Sequence, residues 1–147
     1  MVYGQYERTI DAKNRIILPA KIRDILGSTF FITLGLENVI ELRNVEQFHV
    51  FASKLNAQSN FDMNARMLKR MWLGSTQEIE LDTQGRFVLP KQFIEASAIQ
   101  KNLVFVGVGD IVELWAKETF DNYQTNLSLE QIRTAAETLA AKEGKNE

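Results

Sequence analysis

No cysteine occurs among the 147 residues, so disulfides, thiol nucleophiles and every cysteine-ligated zinc or iron–sulfur site are excluded. Histidine occurs once, as His49, between Phe48 and Val50 on a segment that reads as a helix. A single histidine there reads as a surface residue and cannot make a paired-histidine metal site. The sequence has no Gly-x-Ser-x-Gly elbow and no Gly-x-x-x-x-Gly-Lys phosphate loop. The string GVGD at 107–110 starts like a dinucleotide fingerprint but lacks its third glycine. The longest apolar runs, FFITLGL (30–36) and LVFVGVG (103–109), fall well short of the ~18 residues a membrane span needs. The opening MVYGQYER has no basic-then-apolar targeting pattern. Neither sign of charge dominates, with 17 Lys and Arg against 19 Asp and Glu. The expectation is a cytoplasmic protein that is not an enzyme and uses no metal, no cofactor and no membrane.

What is present occurs twice. DAKNRIILP (11–19) returns as DTQGRFVLP (82–90), and GLENVIEL (35–42) returns as GVGDIVEL (107–114). Two blocks in the same order, at offsets of 71 and 72, mark an internal duplication. The copies are expected over 3–55 and 74–127, with a connecting helix in 56–73 and a C-terminal helix and tail in 128–147.

Each copy predicts the same elements. Tyr6, Thr9 and Ile10 read as a strand ending at Asp11, and Arg15–Leu18 as a second strand, so the pair reads as a hairpin around a short turn. The turn position held by Gly85 in the second copy is Asn14 in the first. Glycine and asparagine are the residues that best tolerate positive φ, which points to a left-handed backbone there. Pro19 and Pro90, the only prolines, sit where a helix can start. Ile22, Ile25 and Leu26 give the first short helix its apolar positions and Gly27 its stop. Strands are expected at 30–34, 39–43, 103–107 and 111–115. Asn44 with Gln47 predicts a capped helix whose apolar face is Val45, Phe48, Phe51 and Leu55. The connecting helix is expected at 61–73, with Phe61, Leu68 and Trp72 on one face, solvated Arg66, Lys69 and Arg70 on the other, and Gly74 as its end. Ser128 with Gln131 caps a final helix bearing Leu129, Ile132, Ala136 and Leu139, and the tail 142–147 reads as disordered. The apolar face left over by Phe61, Leu68, Trp72 and the final helix predicts an oligomer.

Two duplicated aspartates could form a proton-sharing dyad at a pseudo-dyad axis. However, Asp11 and Asp82 each precede an arginine by four residues, which keeps a carboxylate ionised. A turn role fits better, the carboxylate bonding N–H groups of its own turn and bracing the arginine. Arg15 and Arg86 then remain as forks suited to phosphate or guanine edges. Residues 8–23 hold Arg8, Lys13, Arg15, Lys21 and Arg23 against Asp11 alone, a net +4. Residues 79–94 balance Arg86 and Lys91 against Glu80 and Asp82, a net 0. A basic hairpin on an otherwise acidic chain fits nucleic-acid binding, with the first hairpin then expected to supply most of the affinity, and fits equally a solvated hairpin with Arg–Asp pairs.

Two copies of Asp-x-x-x-Arg-x-x-x-Pro, each followed by a Gly-x-x-x-x-(Ile/Val)-Glu-Leu block, and the opening YGQYERTIDAKNRIILPAKIR resemble the MraZ family of bacterial transcription regulators over about 1–127. The resemblance implies an α+β fold of two SpoVT/AbrB-like β-hairpin or barrel repeats around a pseudo-dyad, with flanking helices. It implies ring-shaped homo-oligomers, commonly octameric, that are cytoplasmic and nucleoid-associated. It also implies binding to direct repeats of double-stranded DNA in the promoter of the cell-division and cell-wall gene cluster. Lys13, Arg15, Arg86 and Arg8 are the expected DNA-binding residues, oriented by the turn residues Asp11, Asn14, Asp82 and Gly85. Asn14 departs from the family's usual glycine, and Gln84 stands where the first copy has Lys13. The rival reading is a ring-forming scaffold that binds protein without DNA specificity.

Overall fold

The computed structural model describes residues 1–146. In the first copy, β1 (Val2–Thr9) and β2 (Arg15–Ile17) flank the turn. They are followed by α1 (Ala20–Leu26), β3 (Thr29–Leu34), β4 (Ile40–Asn44) and α2 (Val45–Asn56). α3 (Met63–Ser75) leads into the second copy. There the same order returns as β5 (Gln77–Glu80), β6 (Arg86–Val88), α4 (Lys91–Ser97), β7 (Asn102–Gly109), β8 (Val112–Ala116) and α5 (Lys117–Asn126). α6 (Leu129–Asn146) follows. The mixture of helices and antiparallel strands is an α+β fold.

The strands on either side of each turn do not pair with each other. β2 pairs with β6 across the two copies, and β1 pairs with β7 from Val2 opposite Gly109 to Thr9 opposite Asn102. β5, the counterpart of β1, pairs with β3. The six-stranded sheet therefore runs β1-β7-β8-β4-β3-β5, and β4 and β8 meet at its centre. Read from either end, this order passes through equivalent strands, so the sheet is pseudo-twofold. The expected local hairpin is thus an exchanged one. β1 carries eight residues and finds a full-length partner only in the eight-residue β7. β2, with three residues, is left to pair with its own counterpart.

Alternation along the strands then decides the core. Ile16 and Phe87 face inward from the β2–β6 ribbon and meet Phe30, Ile32, Ile40, Leu42, Leu103, Phe105, Val112 and Leu114 from the sheet. Ile22 and Phe93 of the short helices close the sides. Phe30 and Phe87 pack edge to face at 5.5 Å. Each such side chain contributes about 1.5–3 kcal/mol through burial. The sheet's opposite face is covered by helices: Phe48 of α2 stacks on Phe31 at 4.1 Å, and Trp115 packs with Phe120 of α5. At the centre of that face Glu41 lies directly opposite Glu113. Arg43 donates to Glu41 (3.0 Å) and rests over Phe51, whereas the equivalent Trp115 donates its indole N–H to Glu113 (3.1 Å). Burial pushes the Glu113 carboxyl above its ordinary 4.5, the indole N–H opposes the rise, and the charges of Glu41 and Glu37 add to it.

Several helix ends differ from the sequence expectation. Asp62 caps α3 by accepting from the N–H groups of Asn64 and Ala65, so the helix starts at Met63 and leaves Phe61 outside it, 98% exposed. Gly74 lies within α3 rather than ending it. Lys69 of α3 is not merely solvated: its Nζ donates to the Gln58 carbonyl (2.6 Å) and to Asn60 (2.8 Å), closing the loop after α2. Pro19 and Pro90 occupy the cap positions of α1 and α4, one residue earlier than expected. Ser128 and Gln131 form a reciprocal capping box, and α6 then runs on through the expected disordered tail to Asn146. Glu147 lies outside the described residues. Leu129, Ile132 and Leu139 of α6 are exposed, and no described helix is long and apolar enough to cross a membrane.

Candidate nucleic-acid interface

An aspartate opening a five-residue turn has two oxygens to place and several orphan N–H groups within reach. In the first turn Asp11 Oδ1 accepts from the N–H groups of Lys13 (2.9 Å) and Arg15 (2.8 Å). Its Oδ2 accepts from Arg15 Nε at 2.7 Å. In the second turn Asp82 Oδ1 accepts from Gln84 (2.9 Å) and Arg86 (2.9 Å), and Oδ2 from Arg86 Nε at 2.8 Å. Backbone bonds from Asp11 N–H to the Arg15 carbonyl (3.0 Å) and from Asp82 N–H to the Arg86 carbonyl (2.8 Å) close the two turns.

These bonds hold both carboxyls below their ordinary value of 3.8. The arginine backbone N–H is the largest cause; desolvation opposes it, and the Nε–H, the second backbone N–H and the arginine charge add to it. Each aspartate is consequently a fixed anion that engages its arginine's guanidinium only through Nε. Among the described residues neither Nη group of Arg15 or Arg86 makes a hydrogen bond, so each guanidinium presents its outer edge at the surface. At each turn this is an aimed donor pair.

The backbone at the turns is left-handed, with φ 61° at Asn14 and φ 75° at Gly85. The two positions differ in what lies over them. Arg23 of α1 lies on Gly85, so close that a Cβ there would meet Arg23 Nη1 and the guanidinium would have to move. Gly85 is buried and Asn14 exposed, and the position equivalent to Arg23 in α4 is Ile94. Each turn is docked onto the other copy: the Leu18 N–H donates to the Gly85 carbonyl (3.0 Å) and the Leu89 N–H to the Asn14 carbonyl (2.8 Å).

The fold brings Asp11, Lys13, Asn14 and Arg15 together in one turn and Asp82, Gly85 and Arg86 in the other, at opposite ends of the β2–β6 ribbon. Arg8 is elsewhere, in β1 opposite Leu103, with its Nη1 donating to the Glu7 carbonyl (2.8 Å). Three residues were not singled out for the site from the sequence. Arg23 sits on the second turn, although it belongs to the first copy. Ile17 and Val88 stand on the outer face of the ribbon beside the arginines, Ile17 opposite Arg86 and Val88 opposite Arg15. Strand periodicity carried a signal for the last two, because residues two apart share a face.

A family model described as "MraZ protein, putative antitoxin-like" matches residues 1–71 and again 72–142. The chain is 45% identical over 135 residues to the Transcriptional regulator MraZ of Mycoplasmopsis pulmonis, covering 92% of each chain. It is 40% identical over 120 residues to the protein of that name in Mycoplasma mobile, covering 82% of each. It is also 40% identical over 134 residues to that of Thermoanaerobacter sp. (strain X514), covering 90% of this chain and 94% of the relative.

Proposed function

The chain belongs to the MraZ family, and from that membership we propose that it is a transcription regulator that binds double-stranded DNA sequence-specifically. The observation that carries this reading is the matched pair of aspartate-anchored arginines with unengaged Nη groups, one at each turn of a two-stranded ribbon. A ribbon of this kind fits the major groove, where an arginine fork meets guanine O6 and N7. The name carried by the relatives supports the regulatory part of the reading.

In this mechanism Arg15 and Arg86 contact bases, and Lys13 contacts phosphates, as does Arg8 from its strand. One protomer engages few phosphates and binds weakly. A homo-oligomeric ring, proposed to be octameric, presents many ribbons to direct repeats and gains affinity through effective concentration. The repeats are proposed to lie in the promoter of the cell-division and cell-wall gene cluster, with the protein cytoplasmic and associated with the nucleoid.

Selection of bound sequences from a random duplex pool at physiological salt tests this reading. A consensus of spaced identical boxes is the expected result. Salt-dependent binding without preference for any sequence would overturn it in favour of a scaffold that binds acidic partners.

A further inference from the structure

The β2–β6 ribbon has an inner face, Ile16 and Phe87, buried at 0% and 3% exposure. Its outer face has four side chains in two cross-strand pairs, Arg15 with Val88 and Ile17 with Arg86. Ile17 and Val88 are 53% and 55% exposed, and they occupy equivalent positions 71 residues apart. Directly opposite residues on one sheet face have Cβ atoms only about 4.5–5.5 Å apart. Each aliphatic side chain therefore stands beside one arginine across the ribbon and two residues along the strand from the other.

We propose that Ile17 and Val88 contact the 5-methyl groups of thymines in the major groove, making each arginine–aliphatic pair a reader of guanine together with nearby thymine. The inference rests on the DNA-binding reading above. Thymine is the one base that offers the major groove an apolar group, and guanine the one that offers two acceptors side by side. An aliphatic residue and a guanidinium on one ribbon face match those two features. Two residues along a strand span about 6.6 Å, and successive base pairs rise about 3.4 Å. The thymine should therefore lie within two base pairs of the guanine. Strand propensity alone accounts for a β-branched residue here, but it predicts no sensitivity to a methyl group on the DNA.

The test uses the duplex enriched by the full-length protein, resynthesised with deoxyuridine replacing each thymine in turn, which deletes only the 5-methyl group. The expected result is an affinity loss of about fourfold, the effect of one methyl-sized group, at a thymine within two base pairs of a guanine that Arg15→Ala or Arg86→Ala ceases to read. The Ile17→Ser/Val88→Ser protein, with melting and assembly checked, is expected to bind thymine and uracil duplexes equally. If the serine variant does not fold, the wild-type uracil scan decides alone. Binding that tolerates uracil at every position while still requiring Arg15 overturns the methyl contact and leaves the DNA-binding reading intact. A folded serine variant that still distinguishes uracil from thymine overturns it too. Failure of the wild-type protein to enrich any sequence removes both.

Discussion

The two turns have the same carboxylate, the same three bonds to it and the same guanidinium, yet different surroundings. Lys13 and an exposed Asn14 mark the first; Gln84 and a Gly85 covered by Arg23 mark the second. What both copies keep is what the backbone needs, a bonded aspartate and a residue that tolerates positive φ. What varies is charge and cover. Counted along the chain, the first turn's neighbourhood is +4 and the second's is 0. Counted in space, one of the first copy's cations, Arg23, sits on the second turn. The exchange of strands thus narrows a difference that the linear count exaggerates.

The arginines give the largest test of that near-equivalence. Arg15→Ala and Arg86→Ala should each cost ~1–3 kcal/mol per engaged site, and avidity should turn either into near-complete loss of DNA binding in an anisotropy titration. Arg86→Ala with intact binding would restore the sequence expectation of a dominant first turn. Next come the turn backbones. Gly85→Val should lower stability by ~1–2 kcal/mol, from positive φ at a β-branched residue while the Arg23 guanidinium swings aside, and Asn14→Gly should leave the melting temperature nearly unchanged. Equal melts for wild type and Gly85→Val would mean that the turn is not left-handed at that position.

Smaller effects sharpen the comparison further. Lys13→Ala should weaken all duplexes alike and reduce the salt slope by about one, while Gln84→Ala should leave the slope unchanged. Asp11 and Asp82 should titrate at nearly the same pH, both below 3.8, by carboxyl NMR. Because the folded value is the lower one, their contribution is present above 3.8 and is lost as pH falls through the folded value. Divergent midpoints would show that the turns differ in field. On the opposite face, Glu113 lacks the cation that Glu41 has, and its folded value is raised, so its charge opposes folding above pH 4.5 and that opposition fades on acidification. Glu113→Gln should raise the melting temperature by a degree or two near neutral pH, whereas Glu41→Gln, which strands Arg43, should lower it.

Local chemistry was legible in the sequence, and strand partnership was not. The Asp–Arg spacing, the Asn14/Gly85 position and the caps at Asn44 and Ser128 each involve residues within five of one another. Nothing in the period-two pattern of β1 states whether its partner is β2 or β7, because alternation sets faces and not neighbours. The run Arg15-Ile16-Ile17-Leu18 is continuously apolar after its arginine, so it does not by itself show which of its residues faces outward. The place of Ile17 two residues from Arg15 is the better guide to its face. Phe61 shares the spacing of Leu68 and Trp72, but Asp62 is the capping residue that begins the helix, which leaves Phe61 outside it.

The pairing of Val2 with Gly109 also has a consequence during translation. At about 5–20 residues per second, a ribosome delivers β7 several seconds after β1. In that interval β1 leaves the exit tunnel with open hydrogen-bonding edges, whereas β3 gains β4 within a few residues. Contacts this distant in sequence slow folding and lengthen the exposure. The sheet therefore closes only when the second copy has been made, and β1 waits longest for its partner although it is the first strand to emerge.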